Sequence, residues 1–102
     1  MLKVVVKKQN SEIKKINLLG HADYDDYGKD IVCSSASSIM ITTVNAIMMF
    51  DKSYITYEPK KDNFEIILNK NDKVVDNLIK NMINMFKELQ QDYPKNIKIE
   101  EE

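Results

Sequence analysis

The stretch from residue 31 to 50 constrains the fold more than any other part of this chain. Val32, Ala36, Ile39, Thr43, Ile47 and Phe50 recur at helical spacing, and Met40, Val44 and Met48 widen the apolar surface around that face. A helix that is apolar over most of its circumference is expected to be buried on most sides. Its first turns carry Ser34, Ser35, Ala36, Ser37 and Ser38, all small enough to let a backbone or a ligand come close. A second helix reads differently. Asn71 and Asp72 can cap it; Val75, Leu78, Ile79, Met82, Phe86, Leu89 and Tyr93 form one stripe, and Asp76, Lys80, Asn84, Lys87 and Gln91 face the other way. Pro94 stops it.

The remaining segments alternate. Leu2, Val4 and Val6 oppose Lys3, Val5 and Lys7, which predicts a strand over residues 2–8. Turn residues follow at Gln9, Asn10, Ser11 and Glu12, and residues 13–19 return as a second strand. Tyr54, Ile55, Thr56 and Tyr57 mark a strand over 53–58, the run from Pro59 to Asn63 turns the chain, and Phe64, Ile66 and Leu68 alternate through its partner. Ile97 and Ile99 give a short last strand over 96–100. The expected fold is α+β, a two-layer ββαββαβ arrangement with two helices packed on one sheet. At 102 residues it forms a single domain, 1–102, without an internal boundary or a residue-level repeat.

Charge and cysteine content narrow the function. Fifteen basic and sixteen acidic residues leave a net charge of -1, so no basic excess exists to displace counterions, and a nucleic-acid partner is not expected. One cysteine makes no intrachain disulfide. The lysine-interrupted N-terminus is not expected to be a signal peptide. The most apolar segment, 39–50, looks too short for a bilayer and contains Thr42, Thr43 and Asn45. The expectation is a cytoplasmic protein without membrane attachment.

The only cysteine, Cys33, and the only histidine, His21, lie in one stretch of the chain. Together they are a sulfur nucleophile and a base to take its proton. Cys33 falls in the first turn of the long helix, where unpartnered N–H groups and the helix dipole favour a thiolate and can lower its pKa. The same N–H groups at Cys33 and Ser34 are expected to receive the oxyanion of a tetrahedral intermediate. His21 stands at a strand end, and an imidazole there can take the thiol proton and return it to a leaving amine. Asp23 and Asp30 are candidates to orient it, with Asp30 equally readable as the helix N-cap. Gly20 and Gly28 bracket the segment between them, readable as a lid over the cleft or as plain turn glycines. Tyr24, Tyr27, Ile39 and Met40 are expected walls of a peptide cleft. No metal site is expected, because only aspartates stand near the pair, and no cofactor is expected, because the chain lacks a phosphate-cradling glycine loop. Against catalysis stand a buried inert thiol beside a surface histidine, a non-catalytic binding module, and a redox-sensing thiol.

The combination Gly20-His21-Ala22, then Gly28, then Asp30-Ile31-Val32-Cys33 followed by small residues and Ser37, resembles the signature of the bacterial ribosomal-processing cysteine protease family, Prp or YsxB-like. Val44-Asn45-Ala46 is also similar, and the likeness spans the chain in length and element order. The resemblance implies a cysteine endopeptidase that removes an N-terminal extension from a precursor of a large-subunit ribosomal protein, the twenty-seventh of the L series, cutting after a Phe-Phe pair. It implies Cys33 as nucleophile and His21 as general base. It further implies supporting roles for Gly20, Gly28, Asp30 and Ser37 in loop, helix start and cleft, and a homodimeric protein. The family usually carries alanine or glycine after the cysteine where this chain has Ser34-Ser35, which leaves open whether the Ser34 hydroxyl joins the oxyanion site.

Overall fold

The computed structural model describes residues 1–26 and 28–102. Tyr27, one expected cleft wall, lies outside the described residues. The elements run β1 (Leu2–Gln9), β2 (Glu12–Leu19), α1 (Ile31–Phe50), β3 (Ile55–Lys60), β4 (Asn63–Leu68), α2 (Lys73–Asp92) and β5 (Ile97–Glu101). This is the expected ββαββαβ order. The strands make one sheet in the order β3-β4-β2-β1-β5. β1 and β2 pair antiparallel through a two-residue turn, and both turn residues, Asn10 (φ 54°) and Ser11 (φ 67°), are left-handed, the twist that suits a tight hairpin. β5 pairs parallel to β1, with Leu2 opposite Ile97.

Register lays one apolar face across the sheet. Val4 opposes Leu18, Val6 opposes Ile16, and Ile16 in turn opposes Ile66; all of these are buried, and they share one core with both helices. From α2 that core takes Val75, Ile79, Met82 and Phe86 of the expected stripe and also Ile83, while Leu78, Leu89 and Tyr93 pack against it partly buried. Burial of the sheet face against these side chains removes on the order of 1.5–3 kcal/mol of exposure cost per large residue.

Three expectations need correction. α1 is not buried on most sides: Val32, Ala36, Met40, Val44 and Ile47 are buried, whereas Ile31, Ile41, Met49 and Phe50 are exposed, Met49 by 89%. A single sheet face can cover only one stripe of a helix, however apolar the rest. The helix also runs from Ile31 without a break, so the apolar element exceeds the 39–50 segment; by length and composition alone it is long enough to cross a membrane, although its buried stripe forms the middle of this domain's core. Finally, β3 begins later and continues through Pro59 and Lys60, which leaves Lys61 and Asp62 as the turn. Proline is tolerated there because β3 is an edge strand with no outer partner.

Candidate active site

A cleft of about 990 Å³ opens where β2 ends, α1 begins and the β3–β4 turn approaches. His21 comes from the end of β2, Cys33 and Ser37 from the first turns of α1, and Asp62 from the turn, while Leu2, Leu18 and Phe64 give the cleft an apolar wall. Gly20, Gly28, Asp30 and Ser34 line it too, so the thiol, the imidazole and their expected supporting residues converge here, whereas Tyr24, one of the expected walls, is not among the lining residues. Nor are Ile39 and Met40: Met40 is fully buried in the core. Among the described residues no cluster of three or more His, Cys, Asp or Glu side chains is arranged to hold a metal.

Asp30 organises the start of α1. It is the N-cap, and its Oδ1 accepts the N–H groups of Val32 (2.9 Å) and Cys33 (3.0 Å). Oδ2 accepts those of Tyr24 (2.9 Å) and Asp25 (3.3 Å), which ties the preceding loop to the helix. Burial alone would push this carboxyl up, but the N–H groups of Cys33, Tyr24, Asp25 and Val32 together outweigh it and hold the group below its ordinary value. With both oxygens engaged, Asp30 caps the helix and does not orient His21.

These bonds also overturn the expected oxyanion site. The Cys33 N–H is spent on Asp30 Oδ1, and the Ser34 N–H donates to the Asp30 carbonyl at 3.1 Å. The Ser34 hydroxyl donates to the same carbonyl at 3.0 Å, so it belongs to the helix backbone in this arrangement. The donor aimed at the sulfur is the Ala22 N–H, 3.2 Å from Cys33 Sγ. Ala22 is held in turn by a residue distant in the chain, Asn96, whose side-chain amide donates to its carbonyl at 3.0 Å.

Helix-start placement was expected to depress the thiol pKa. The opposite holds. Burial pushes the Cys33 thiol up, the Ala22 N–H works against this, and the nearby Asp30 and Asp23 carboxylates add to the rise. The cap that completes the helix brings a negative charge beside the sulfur, which offsets the dipole. In the free protein Cys33 therefore rests as a protonated thiol and needs a base to become a nucleophile.

His21 is half-exposed and its Nε2 lies 2.9 Å from Asp62 Oδ1. Asp62, rather than Asp23 or Asp30, is the carboxylate in contact with the ring. Asp23 pairs with the Met1 amino group at 3.1 Å. Sequence reasoning missed Asp62 because it lies on a separate hairpin; its one local signal was a turn position between two alternating runs. The Gly20 N–H donates to the Asp62 carbonyl at 3.0 Å, which docks that turn against the strand end carrying His21. Gly20 is itself constrained: φ is +80°, and a Cβ would stand 3.1 Å from the Met1 carbonyl oxygen. Gly28 has φ +85° with open space around it, so only its backbone conformation calls for glycine.

A half-exposed thiol and an imidazole opening on one cleft of a two-layer α+β domain define a thiol-dependent hydrolase. The comparison with known proteins makes this specific: a family model described as Cysteine protease Prp matches residues 1–98, and the chain belongs to that family. A ribosomal processing cysteine protease Prp of Staphylococcus aureus is 26% identical over 98 residues, 93% of this chain and 92% of that relative. The crystal structure of the essential ribosomal processing protease Prp from S. aureus with a covalently linked product peptide superposes with a TM-score of 0.92 at 24% identity, covering 100% of both chains. The S. aureus enzyme in complex with a substrate peptide gives 0.87 at 23% identity, again over 100% of both. The protein is a cysteine protease.

Proposed function

We propose that this protease removes the N-terminal extension of a large-subunit ribosomal protein, the twenty-seventh of the L series, cutting after a Phe-Phe pair in the cytoplasm, with Cys33 as nucleophile and His21 as base. The observation that carries this reading is the shared cleft, in which the only thiol and the only imidazole of the chain open on one apolar-walled space. The substrate class is supported by the relative's name, ribosomal processing cysteine protease, and by the peptide complexes of the S. aureus enzyme. The Phe64 wall suits aromatic side chains, whose burial contributes on the order of a few kcal/mol each.

In this mechanism the peptide enters beside Cys33 and His21 takes the thiol proton. Sγ attacks the scissile carbonyl, and the imidazolium returns the proton to the leaving amine as the C–N bond breaks. Water then attacks the thioester while its proton passes to His21, the removed extension leaves as a carboxylic acid, and the proton returns to Sγ to restore the thiol. The Ala22 N–H, freed from Sγ as the new bond forms, is the nearest backbone donor for the oxyanion. Asp30, Gly20, Gly28, Ser34 and Ser37 support this geometry. The protein acts as a homodimer, a reading supported by the exposed apolar side chains Ile31, Ile41, Met49 and Phe50 along α1.

Incubation with the extended ribosomal protein tests the reading. Wild-type protein is expected to yield one shortened product whose N-terminus follows the Phe-Phe pair. Cys33→Ala is expected to bind the precursor and leave it whole. Cleavage by Cys33→Ala at the wild-type rate would remove Cys33 from the chemistry, and an untouched precursor with wild-type protein would remove the substrate.

A further inference from the structure

We propose that Asp62 is the positioning residue of this protease: it holds His21 in the tautomer protonated at Nε2 and so leaves the lone pair on Nδ1 to take the Cys33 proton. The inference rests on the reading of Cys33 and His21 as nucleophile and base. An ionised carboxylate only accepts hydrogen bonds, so its approach to 2.9 Å between Oδ1 and Nε2 favours the tautomer that carries its hydrogen on Nε2. In a neutral imidazole the other nitrogen is then the base. The reverse tautomer would set a lone pair against the carboxylate and place the hydrogen on the nitrogen needed for proton abstraction.

The backbone fixes Asp62 for this task independently of the side-chain contact. It occupies the two-residue turn between β3 and β4 in a left-handed conformation, φ 59°, which aspartate and asparagine tolerate better than most residues. Its carbonyl accepts the N–H of Gly20, the residue before His21, at 3.0 Å. Leu19 opposes Asn63 in the β2–β4 ladder, so the register of the sheet itself brings the turn to the strand end. One short segment thus holds the neighbour's backbone and the histidine's ring, and Asp62 lines the same cleft as Cys33. Both side chains are partly exposed, so the contribution is one of orientation and tautomer more than of buried charge.

Asp62→Gly removes the carboxylate while accepting the left-handed backbone, and Asp62→Asn keeps the shape and a carbonyl oxygen that can still accept from Nε2–H. Because His21 is the chain's only histidine, nitrogen NMR of histidine-labelled protein reads its tautomer from one side chain. Wild-type protein is expected to show the Nε2–H form, Asp62→Gly a mixture, and Asp62→Asn a state between them. On the extended precursor, kcat is expected to fall about 10–100-fold in Asp62→Gly, less than the roughly 10²–10⁴-fold a general base supplies, with KM within about twofold of wild type and partial rescue in Asp62→Asn. A wild-type tautomer and kcat in a folded Asp62→Gly protein would overturn the proposal. Cys33→Ser in the same assay separates the two readings: undiminished cleavage there sinks the thiol mechanism itself, whereas loss there with an unaffected Asp62→Gly sinks only the role of Asp62.

Discussion

At Cys33 the helix dipole and the capping carboxylate act in opposite directions, and burial decides between them in favour of the thiol. Alkylation of the free protein by iodoacetamide is therefore expected to accelerate only above the ordinary thiol range near about pH 8.5; fast reaction at neutral pH would show that the dipole wins. A folded-state value raised above the unfolded one stabilises the protein fully below the unfolded value, and that stabilisation disappears as pH rises through the folded one. Cys33→Ser should accordingly flatten the alkaline decline in urea midpoint, change neutral stability by less than about 1 kcal/mol, and lower cleavage by several orders of magnitude, since a hydroxyl gives up its proton to the base far less readily than a thiol. Asp30 has the opposite sign. Its depressed value contributes stability above the unfolded value of about 3.9, lost as pH falls through the folded one. Asp30→Ala should cost about 1–2 kcal/mol at pH 7 and converge with wild type in strong acid, with urea melts at the two pH values as the measurement. The identities of the thiol and the imidazole were legible from their types and spacing. Asp62 was not, because a contact between residues 21 and 62 depends on sheet register, which no local pattern encodes.

At the scale of elements, periodicity and capping chemistry carried most of the fold into view. Asp72 caps α2 by accepting from the Val74 and Val75 N–H groups, and the stripe of that helix reads directly as its buried face. The reading of α1 failed in one respect, because composition cannot tell an apolar residue that faces the core from one that faces outward. Ile41 and Met49 instead turn much of their surface outward, Met49 nearly all of it. If they form part of a homodimer surface, Ile41→Lys with Met49→Lys should convert a dimer to a monomer in sedimentation analysis, with the melting temperature of the monomeric domain nearly unchanged, because surface substitutions outside such features usually stay within about 0.5 kcal/mol. A wild-type protein that sediments as a monomer, or a double variant that remains dimeric, would move the interface elsewhere or remove it.

Across the whole molecule, the cleft is assembled from segments far apart in the chain. The loop after β2 is held at its root by Asn96 on the Ala22 carbonyl and by Tyr24, whose ring meets Tyr93 edge-on at 5.3 Å between centroids. Further along, Asp30 closes it onto the helix through the Tyr24 and Asp25 N–H groups. A bare thiol and imidazole discriminate poorly among peptides, whereas a loop that closes only over a fitting substrate supplies selectivity by induced fit. The loop's anchors predict where such motion is confined. With Cys33→Ala protein and an uncleaved precursor peptide, protection from hydrogen exchange should rise at Gly28, while the Tyr24 and Asp25 amides, already bonded to Asp30, should change little. Gly28→Ala, which meets open space but must adopt φ +85°, should then slow turnover more than it lowers the melting temperature. Protection that is the same with and without peptide would mean the loop is already in its working position, and selectivity would have to come from the Phe64 wall alone.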